Sequence, residues 1–355
     1  MVRVDIVEND SHKITIAEQG LDGMEIESAL VRTALNAISG CTISIPPTNK
    51  VARMLTGGIA PVVEVLNDDR RVFIGSVASV KEDIFGGLEV ECDGALSWLA
   101  NIVKQPFQVT NRTHYDYIQT IINQYNTAMI DAGTVERAVW FGGVLGFEND
   151  GNVDIHHSDE YTNTLDLLKE CVDKYGGYFF ETVGGVDAHP AVGWMKEPTI
   201  SSGQVLEFGV NIASLETMLD FSEYASRVYA INNDGLTVTG GYVGDAVAEN
   251  TYGRKDYAYK SQAETQAELD AEAAAILAVK KVPIRSIEAT AAMLERTGCN
   301  INAMKLGTTV EAIDRRLGAN LTLMVNSIER DYVNPLDGTV VLGRSNKTLT
   351  QSIKG

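Results

Sequence analysis

The stretch Ala60-Pro61-Val62-Val63-Glu64-Val65 is followed by a polar turn with Arg70-Arg71, then by Val77-Ala78-Ser79-Val80-Lys81-Glu82-Asp83, then by Gly87-Leu88-Glu89-Val90. It reads as strand, turn, strand and closing strand. The same order recurs near the other end of the chain. Gly307-Thr308-Thr309-Val310-Glu311-Ala312 leads into a polar turn with Arg315-Arg316, then Val325-Asn326-Ser327-Ile328-Glu329-Arg330-Asp331, then Gly338-Thr339-Val340-Val341. Val63 to Val77 spans 14 residues and Val310 to Val325 spans 15, while Val77 to Asp83 and Val325 to Asp331 both span 6. Turn, strand and closing glycine keep their order, so the expectation is a duplicated β-barrel segment. It makes Glu64 equivalent to Glu311, Val77 to Val325, Ser79 to Ser327 and Asp83 to Asp331. A period of two puts Val77 and Ser79 on one face and Ala78 and Val80 on the other, with the valines expected inside. A chain carrying one such unit near each end is a candidate ring-former whose two barrels alternate around an axis.

Around these copies the pattern changes three times. Residues 1 to 98 are β-patterned: Val4 and Ile6, then Ile14 and Ile16, alternate with polar residues across the turn Glu8-Asn9-Asp10-Ser11. Met24 to Leu35 fits a helix face or a strand. Cys41-Thr42-Ile43-Ser44-Ile45 is a clearer strand, ended by Pro46-Pro47, and a one-turn helix is expected around Asn49 to Leu55. From 99 to 212 helical spacing appears at Ile118, Ile121, Ile122, Tyr125 and Met129 after the N-cap candidate Thr113. It returns at Leu165, Leu168, Val172 and Tyr175, with Thr162 or Thr164 as cap and Gly176-Gly177 as stop, before the strand Tyr178-Phe179-Phe180-Glu181. Beyond 212, Asn232-Asn233-Asp234-Gly235 between Tyr229-Ala230-Ile231 and Leu236-Thr237-Val238 signals a hairpin. Ser261-Gln262-Ala263-Glu264 reads as a capping box opening an Ala-rich helix that ends near Lys281, before Pro283. Ser286 to Met293 returns to β character.

Composition bounds the function. The 355 residues exceed what one core usually serves, so roughly two to four subdomains are expected. Hydrophobic content of 45% with 22% charged residues describes a folded globular chain. No apolar run reaches membrane-spanning length and Met1-Val2-Arg3-Val4-Asp5 lacks a signal-peptide layout, so synthesis and first residence in a cytoplasm are expected. Cys41, Cys92, Cys171 and Cys299 lie far apart with no CxxC, as reduced and mostly buried thiols do. The net charge of −19 repels phosphate backbones, which disfavours a conventional nucleic-acid binder but suits a surface along which DNA passes without sticking.

His156-His157 beside Asp154, Asp159 and Glu160 is the densest group of metal-ligand types, but neighbouring histidines on a strand face opposite ways. There is no HExxH, and Val153 occupies the position where an EF-hand loop needs glycine. Cys171 sits on the apolar side of a helix, where a thiol is usually inert, which argues against a nucleophile pair with His189. His114 and His12 read as ordinary surface histidines. The pairs Gly57-Gly58, Gly86-Gly87, Gly142-Gly143, Gly184-Gly185 and Gly240-Gly241 are expected between strands, with no GxGxxG or Walker sequence among them. Asp68-Asp69 is expected in a turn. No catalytic, cofactor-binding or metal residue is assigned, no cofactor is expected, and the chain is read as not an enzyme.

With these landmarks placed, the chain resembles the hub family of phage tail tips, tail-associated proteins similar to the baseplate hub proteins of contractile tails. Trp98-Leu99-Ala100-Asn101-Ile102-Val103-Lys104-Gln105-Pro106 resembles the family's linker closing the first domain, and Leu165 to Tyr178 its helix ending in Gly-Gly. Leu206-Glu207-Phe208-Gly209-Val210-Asn211-Ile212 is similar to its Phe-Gly-x-Asn-Leu element, and Ala225-Ser226-Arg227-Val228-Tyr229-Ala230-Ile231 to the re-entry into the second barrel. Lys305-Leu306-Gly307, Ile328 to Pro335 and Thr339 to Gly343 resemble the last barrel strands.

The resemblance implies an α+β fold of two similar antiparallel β-barrels, with an α/β insertion between them and a helical insertion in the second. The expected limits are 1–98 for the first, tube-facing barrel, 99–212 for the α/β domain, 213–245 and 284–345 for the second barrel, 246–283 for the helical insertion and 346–355 for a polar tail. It further implies a structural virion protein: a homotrimeric hub at the tail tip, assembled in the host cytoplasm, adapting a sixfold tube to a threefold tip and lining the channel for DNA ejection. Its implied partners are the distal tail protein or a tail-tube ring, the C-terminus of the tape-measure protein, and tip or receptor-binding proteins. No sequence-specific nucleic-acid binding and no membrane-spanning segment are implied. Many tail-tip proteins of this kind continue into a peptidase, wall hydrolase or fibre module, whereas this sequence reaches Gly355 soon after the second copy. The alternative expectation is a tail-associated hydrolase, a peptidase or cell-wall lysin, whose catalytic module is absent from this chain or supplied by a partner.

Overall fold

A computed structural model describes residues 1–9, 12–56, 61–145, 153–157, 161–184, 189–198, 200–207, 216–261, 263, 265–290, 304–314 and 319–343. It is mostly β-sheet with a few helices, an α+β fold. The chain divides into two compact units, one of residues 1–215, 288–342 and 347–355, the other of residues 216–287 and 343–346.

In the larger unit the N-terminal strands are β1 (Val2–Asn9), β2 (His12–Glu18), β3 (Ser28–Ala34), β4 (Gly40–Ile45), β5 (Val62–Asn67), β6 (Arg70–Glu82) and β7 (Leu88–Gly94). They lie side by side in the order β3-β4-β7-β6-β5-β1-β2, and every neighbouring pair is antiparallel. The ambiguous stretch 24–35 is thus a strand; Ile26 and Leu35, the ends of its supposed helix face, are both buried outside it. The sharp β5–β6 connection needs positive φ at two successive residues, and Asp68 and Asp69 supply it at 49° and 59°.

Strand β5 is buried on both faces. Val63 and Val65 face a core with Val4, Ile16, Ile43, Phe73 and Val90, while Val62 joins a second core on the opposite side. That second core belongs to an α/β layer of helices His114–Asp131 and Thr164–Tyr175 with the strands Trp140–Leu145, Tyr178–Thr182 and Ala191–Met195. Thr113 caps the first helix by accepting the Asp116 N–H at 3.1 Å, as expected. Asn163, not Thr162 or Thr164, caps the second, accepting the Asp166 N–H at 2.9 Å; the asparagine oxygen is the stronger local acceptor at this entry, and Thr164 is the first helical residue. Gly176 ends that helix as expected, at φ 73°. The pair Gly142-Gly143 lies inside a strand rather than between strands, at an irregularity where Gly143 takes φ 114°.

The same unit carries the second copy as the strands Thr309–Asp314, Ala319–Asp331 and Gly338–Gly343. The long middle strand pairs first with Thr309–Asp314 and then, from Ser327 to Asp331, antiparallel with β3. Strand Ser201–Glu207 flanks Thr309–Asp314 in parallel. Among the described residues, no pairing of an outer strand back onto its own copy closes a barrel.

The smaller unit has its own three-stranded sheet, Val243–Gly244, Arg227–Ile231 and Asp256–Lys260, covered by helix Gln266–Lys280 through Leu269, Ala273 and Leu277. Arg227–Ile231, expected as the re-entry into a second barrel, is the middle strand of this sheet, because its parallel partner lies beyond a helix rather than beyond the turn. The hairpin expected at Asn232–Gly235 reduces to one bridge, Ile231 to Thr237, since the Asn232 side chain takes the Leu236 N–H at 2.8 Å and holds a turn instead. The capping box forms one turn later than expected. Thr265 accepts the Glu268 N–H at 3.3 Å and Glu268 accepts the Thr265 N–H at 3.1 Å, while the buried Ser261 donates its hydroxyl to the exposed Glu272.

Candidate functional site

The repeat is visible hydrogen bond by hydrogen bond. In the first copy Val62, Val63 and Glu64 lie opposite Ser76, Gly75 and Ile74; in the second Thr309, Val310 and Glu311 lie opposite Met324, Leu323 and Thr322. Shifting the first copy by the expected alignment reproduces the second register over Val62–Val65 and Thr309–Ala312; beyond these a bulge between Val65 and Leu66 has no counterpart in the second copy. The Val77 N–H donates to the Pro61 carbonyl at 3.1 Å, and the Val325 N–H to Thr308 at 2.9 Å. Both long strands run 13 residues and stop at an aspartate turn. Asp83 donates its N–H to Gly87 at 2.9 Å and accepts the Phe85 N–H at 2.7 Å. Asp331 donates to Asp337 at 2.9 Å and accepts the Val333 N–H at 2.9 Å. Gly87 is therefore equivalent to Asp337 rather than to Gly338. The strand order β1-β5-β6-β7 is matched by Ser201–Glu207, Thr309–Asp314, Ala319–Asp331 and Gly338–Gly343, although the outermost pair is antiparallel in the first and parallel in the second.

Facing follows a bulge rather than a strict period of two. Val77 lies opposite Cys92 and Ser79 opposite Glu91, so Ala78 is an extra residue on β6. Val77 and Val80 therefore both turn to the core, Val80 opposite the buried Val90. Val325 is fully buried, as expected for its equivalence with Val77.

Equivalent residues have diverged where their surroundings differ. Glu64 is fully buried and held between Lys13, with Nζ at 2.7 Å, and Arg71, with Nε at 2.9 Å. Arg71 also donates to the Val183 carbonyl of the α/β layer at 3.2 Å, so the layer that covers β5 also closes the ion cluster. Glu311, its counterpart, is exposed. Asp331 is buried and accepts from Ser28 Oγ at 2.8 Å and the Ala29 N–H at 3.1 Å, pinning the second copy to β3. Burial raises its pKa, but the bonds from Ala29, Ser28 and Asn334 outweigh that and hold it below the usual carboxylate range. Asp83 lies in an exposed loop.

Antiparallel pairing sets the two aspartate loops on one edge of the sheet. β6 and Ala319–Asp331 run the same way, separated by β7, β4 and β3. The loops are therefore four strand spacings apart, about 19 Å measured along the sheet. The tip of the first is Ile84-Phe85, 92% and 79% exposed, and that of the second carries Leu336, 57% exposed. Beside the first loop lies an open cleft of about 380 Å³ whose lining includes Ile45, Pro46 and Pro47. These tips escaped the sequence reading. The signal available was an apolar pair between an aspartate and a double glycine.

The remaining candidates disperse. His156 and His157 lie on the strand Val153–His157 opposite Gln108 and Phe107, while Asp159 and Glu160 lie outside the described residues, as do Phe208 to Ile212, Arg315-Arg316 and Cys299. His114 is not a surface histidine: it packs edge-on against Tyr175 at 4.7 Å and Trp194 at 5.3 Å, because its helix opens directly over the aromatic core. His12 does lie at the surface, 2.9 Å from Glu8. Cys41, Cys92 and Cys171 are free and buried; Cys41 and Cys92 face each other across β4 and β7, and burial pushes the Cys92 thiol up to about 12. Glu181 receives the Ala95 N–H at 3.0 Å at the start of a short helix, yet burial pushes its carboxyl up to about 7. Among the described residues no group of three His, Cys, Asp or Glu side chains could hold a metal, and no helix is long and apolar enough to cross a membrane.

Residues 200–353 match the family described as prophage endopeptidase tail. No curated protein matches this sequence. Solved structures with a similar fold include a tail protein from Neisseria meningitidis MC58, at TM-score 0.64 and 13% identity, covering 99% of this chain and 98% of that one. The 43 kDa tail protein of prophage MuSo2 from Shewanella oneidensis follows at TM-score 0.62 and 11% identity over 96% and 97% of the two chains. Prophage tail protein gp18 from Listeria monocytogenes EGD-e gives TM-score 0.60 and 10% identity over 100% and 99%. The chain thus shares the fold of these phage tail proteins along nearly its whole length, and residues 200–353 match the prophage endopeptidase tail family.

Proposed function

We propose that the chain is the subunit of a homotrimeric hub at the distal end of a phage tail, each copy contributing two equivalent barrel-type segments around a central channel. Three copies of two equivalent units offer six quasi-equivalent positions, which lets a threefold tip share an axis with a sixfold tube. The observation that carries this reading is the shared register of Val62–Val65 and Thr309–Ala312 with their long partner strands. In this reading residues 1–98 form the first barrel, 99–212 the α/β layer and, of the 213–245 and 284–345 expected for the second barrel, 284–345 its core, since residues 216–287 fall in a unit of their own. The proposed partners are the distal tail protein or a tail-tube ring, the tape-measure C-terminus in the channel, and tip or receptor-binding proteins beyond. The hub has no catalysis of its own.

Native mass spectrometry of the purified chain, with a reconstruction of the particle tip, tests the stoichiometry. Three copies around the channel are expected. Monomers in solution together with six copies in one ring would overturn it. The word endopeptidase in the matched family's description favours one second reading, a tail-associated hydrolase whose catalytic module lies outside this chain or in a partner. Hydrolysis of cell-wall peptides by the purified chain itself would contradict the non-catalytic reading.

A further inference from the structure

We infer that the loops Asp83–Gly87 and Asp331–Asp337 are two equivalent plugs that enter two copies of one pocket on a ring-shaped tail partner. The inference rests on the hub reading and deepens it by naming the contact. Each loop follows the same 13-residue strand, is braced by the same aspartate turn and leaves from the same edge of the sheet. Each carries an apolar tip in solvent, Ile84-Phe85 in one and Leu336 in the other. The loops differ in length and share no tip sequence, so what persists between them is position and apolar character. Exposed aromatic and aliphatic tips on braced loops suit insertion into a pocket, because the bracing has already removed much of the conformational freedom that binding would cost.

The charge around the first plug defines the pocket further. Glu27, Glu82, Asp83 and Glu89 line the adjoining cleft with Lys81, which is engaged by Glu89 at 3.1 Å and Glu91 at 2.7 Å. Arg53 beside the loop is engaged by Glu82 at 3.3 Å, so carboxylates outnumber the cations here. A complementary pocket therefore has an apolar floor and a basic rim. Because the two plugs are equivalent and about four strand spacings apart, roughly 19 Å along the sheet, the partner presents that pocket repeatedly. A homo-oligomeric ring does so; a monomeric partner does not.

The test uses the full chain and the tail-ring protein encoded in the same phage genome, purified as its ring, with binding measured by biolayer interferometry. Phe85→Asp and Leu336→Asp are made singly and together, with Val247→Asp, an exposed site in the other unit, as control. Each single variant is expected to bind roughly tenfold or more weakly, and the double variant about a hundredfold or more, since two linked contacts reinforce each other. Unchanged circular dichroism and thermal unfolding confirm that all variants fold. If the wild-type chain binds the ring and the double variant binds equally well, the plugs are wrong while the hub reading stands. If the wild-type chain does not bind the ring at all, the ring partner of the hub reading fails and this inference fails with it.

Discussion

Asp83 and Asp331 occupy the same place in two copies, yet only one is committed to holding the molecule together. Asp331 is 4% exposed and receives side-chain and backbone donors from β3 as well as from its own loop, so Asp331→Ala strands buried donors. A loss of about 2 kcal/mol or more is expected in urea unfolding. Asp83→Ala, in an exposed loop where water replaces the carboxylate, should cost under about 1 kcal/mol. Equal costs would show that burial does not distinguish the two turns. The carboxyls also set a pH response. Asp331 titrates below its unfolded value, so its contribution is present above the unfolded pKa, about 3.9, and is lost on acidification. Glu181 has the opposite sign. Its folded pKa of about 7 exceeds the ordinary 4.5, so the native state holds the extra proton between them and stability falls as pH rises across that window. Urea midpoints measured from pH 4.5 to 8 should decline less in Glu181→Gln than in the parent chain. Parallel declines would remove Glu181 as the cause.

At the scale of elements, β6 depends on a glycine its counterpart lacks. A Cβ on Gly75 would meet the Asp93 carbonyl oxygen at 2.1 Å and the Phe73 ring at 2.7 Å, whereas the equivalent position in the second copy holds Leu323. The close approach follows from β7 packing tightly on β6 just before the bulge. Gly75→Ala should therefore destabilise by about 2 kcal/mol or more, read from thermal or urea unfolding. In the smaller unit the box at Thr265 and Glu268 places the start of the Ala-rich helix. Thr265→Ala should lower its stability by about 1 kcal/mol, visible as earlier loss of helical circular dichroism on heating. An unaffected helix would show that packing of Leu269, Ala273 and Leu277 alone sets its start.

For the whole molecule the charge and the repeat combine. At −19 per chain, a trimeric hub is expected to line its channel with acidic or neutral side chains, because a basic wall would bind phosphates and stall DNA in transit. A reconstruction of the assembled tip with lysine and arginine clustered along the lumen would contradict this. The same assembly tests the equivalence of the copies, since superposing residues 60–92 on 307–343 should bring Val77 onto Val325 and Asp83 onto Asp331. The register already observed within one chain makes that a sharp expectation.

Alternation, turn residues and spacing were enough, without any structure, to mark the duplicated strand pair, the cap at Thr113, the stop at Gly176 and the turn at Asp68-Asp69. These are local devices, set by backbone preference and by which side chains avoid water. Burial on two faces was not legible. Nothing near Glu64 and Glu311 in the chain says that an α/β layer will cover one and leave the other in solvent; Arg71 reaching Val183, 112 residues away, decides it. The bulge at Ala78 was hidden for the same reason, since an extra residue shows only against the partner strand. The placement of the helix start at Thr265 turned on a competition that sequence cannot weigh, with the Ser261 hydroxyl captured by Glu272. The apolar tips Ile84, Phe85 and Leu336 gained meaning only when strand pairing brought their loops to one edge. Local chemistry wrote the two copies; long-range packing decided which of their equivalent residues became structure and which were left facing outward.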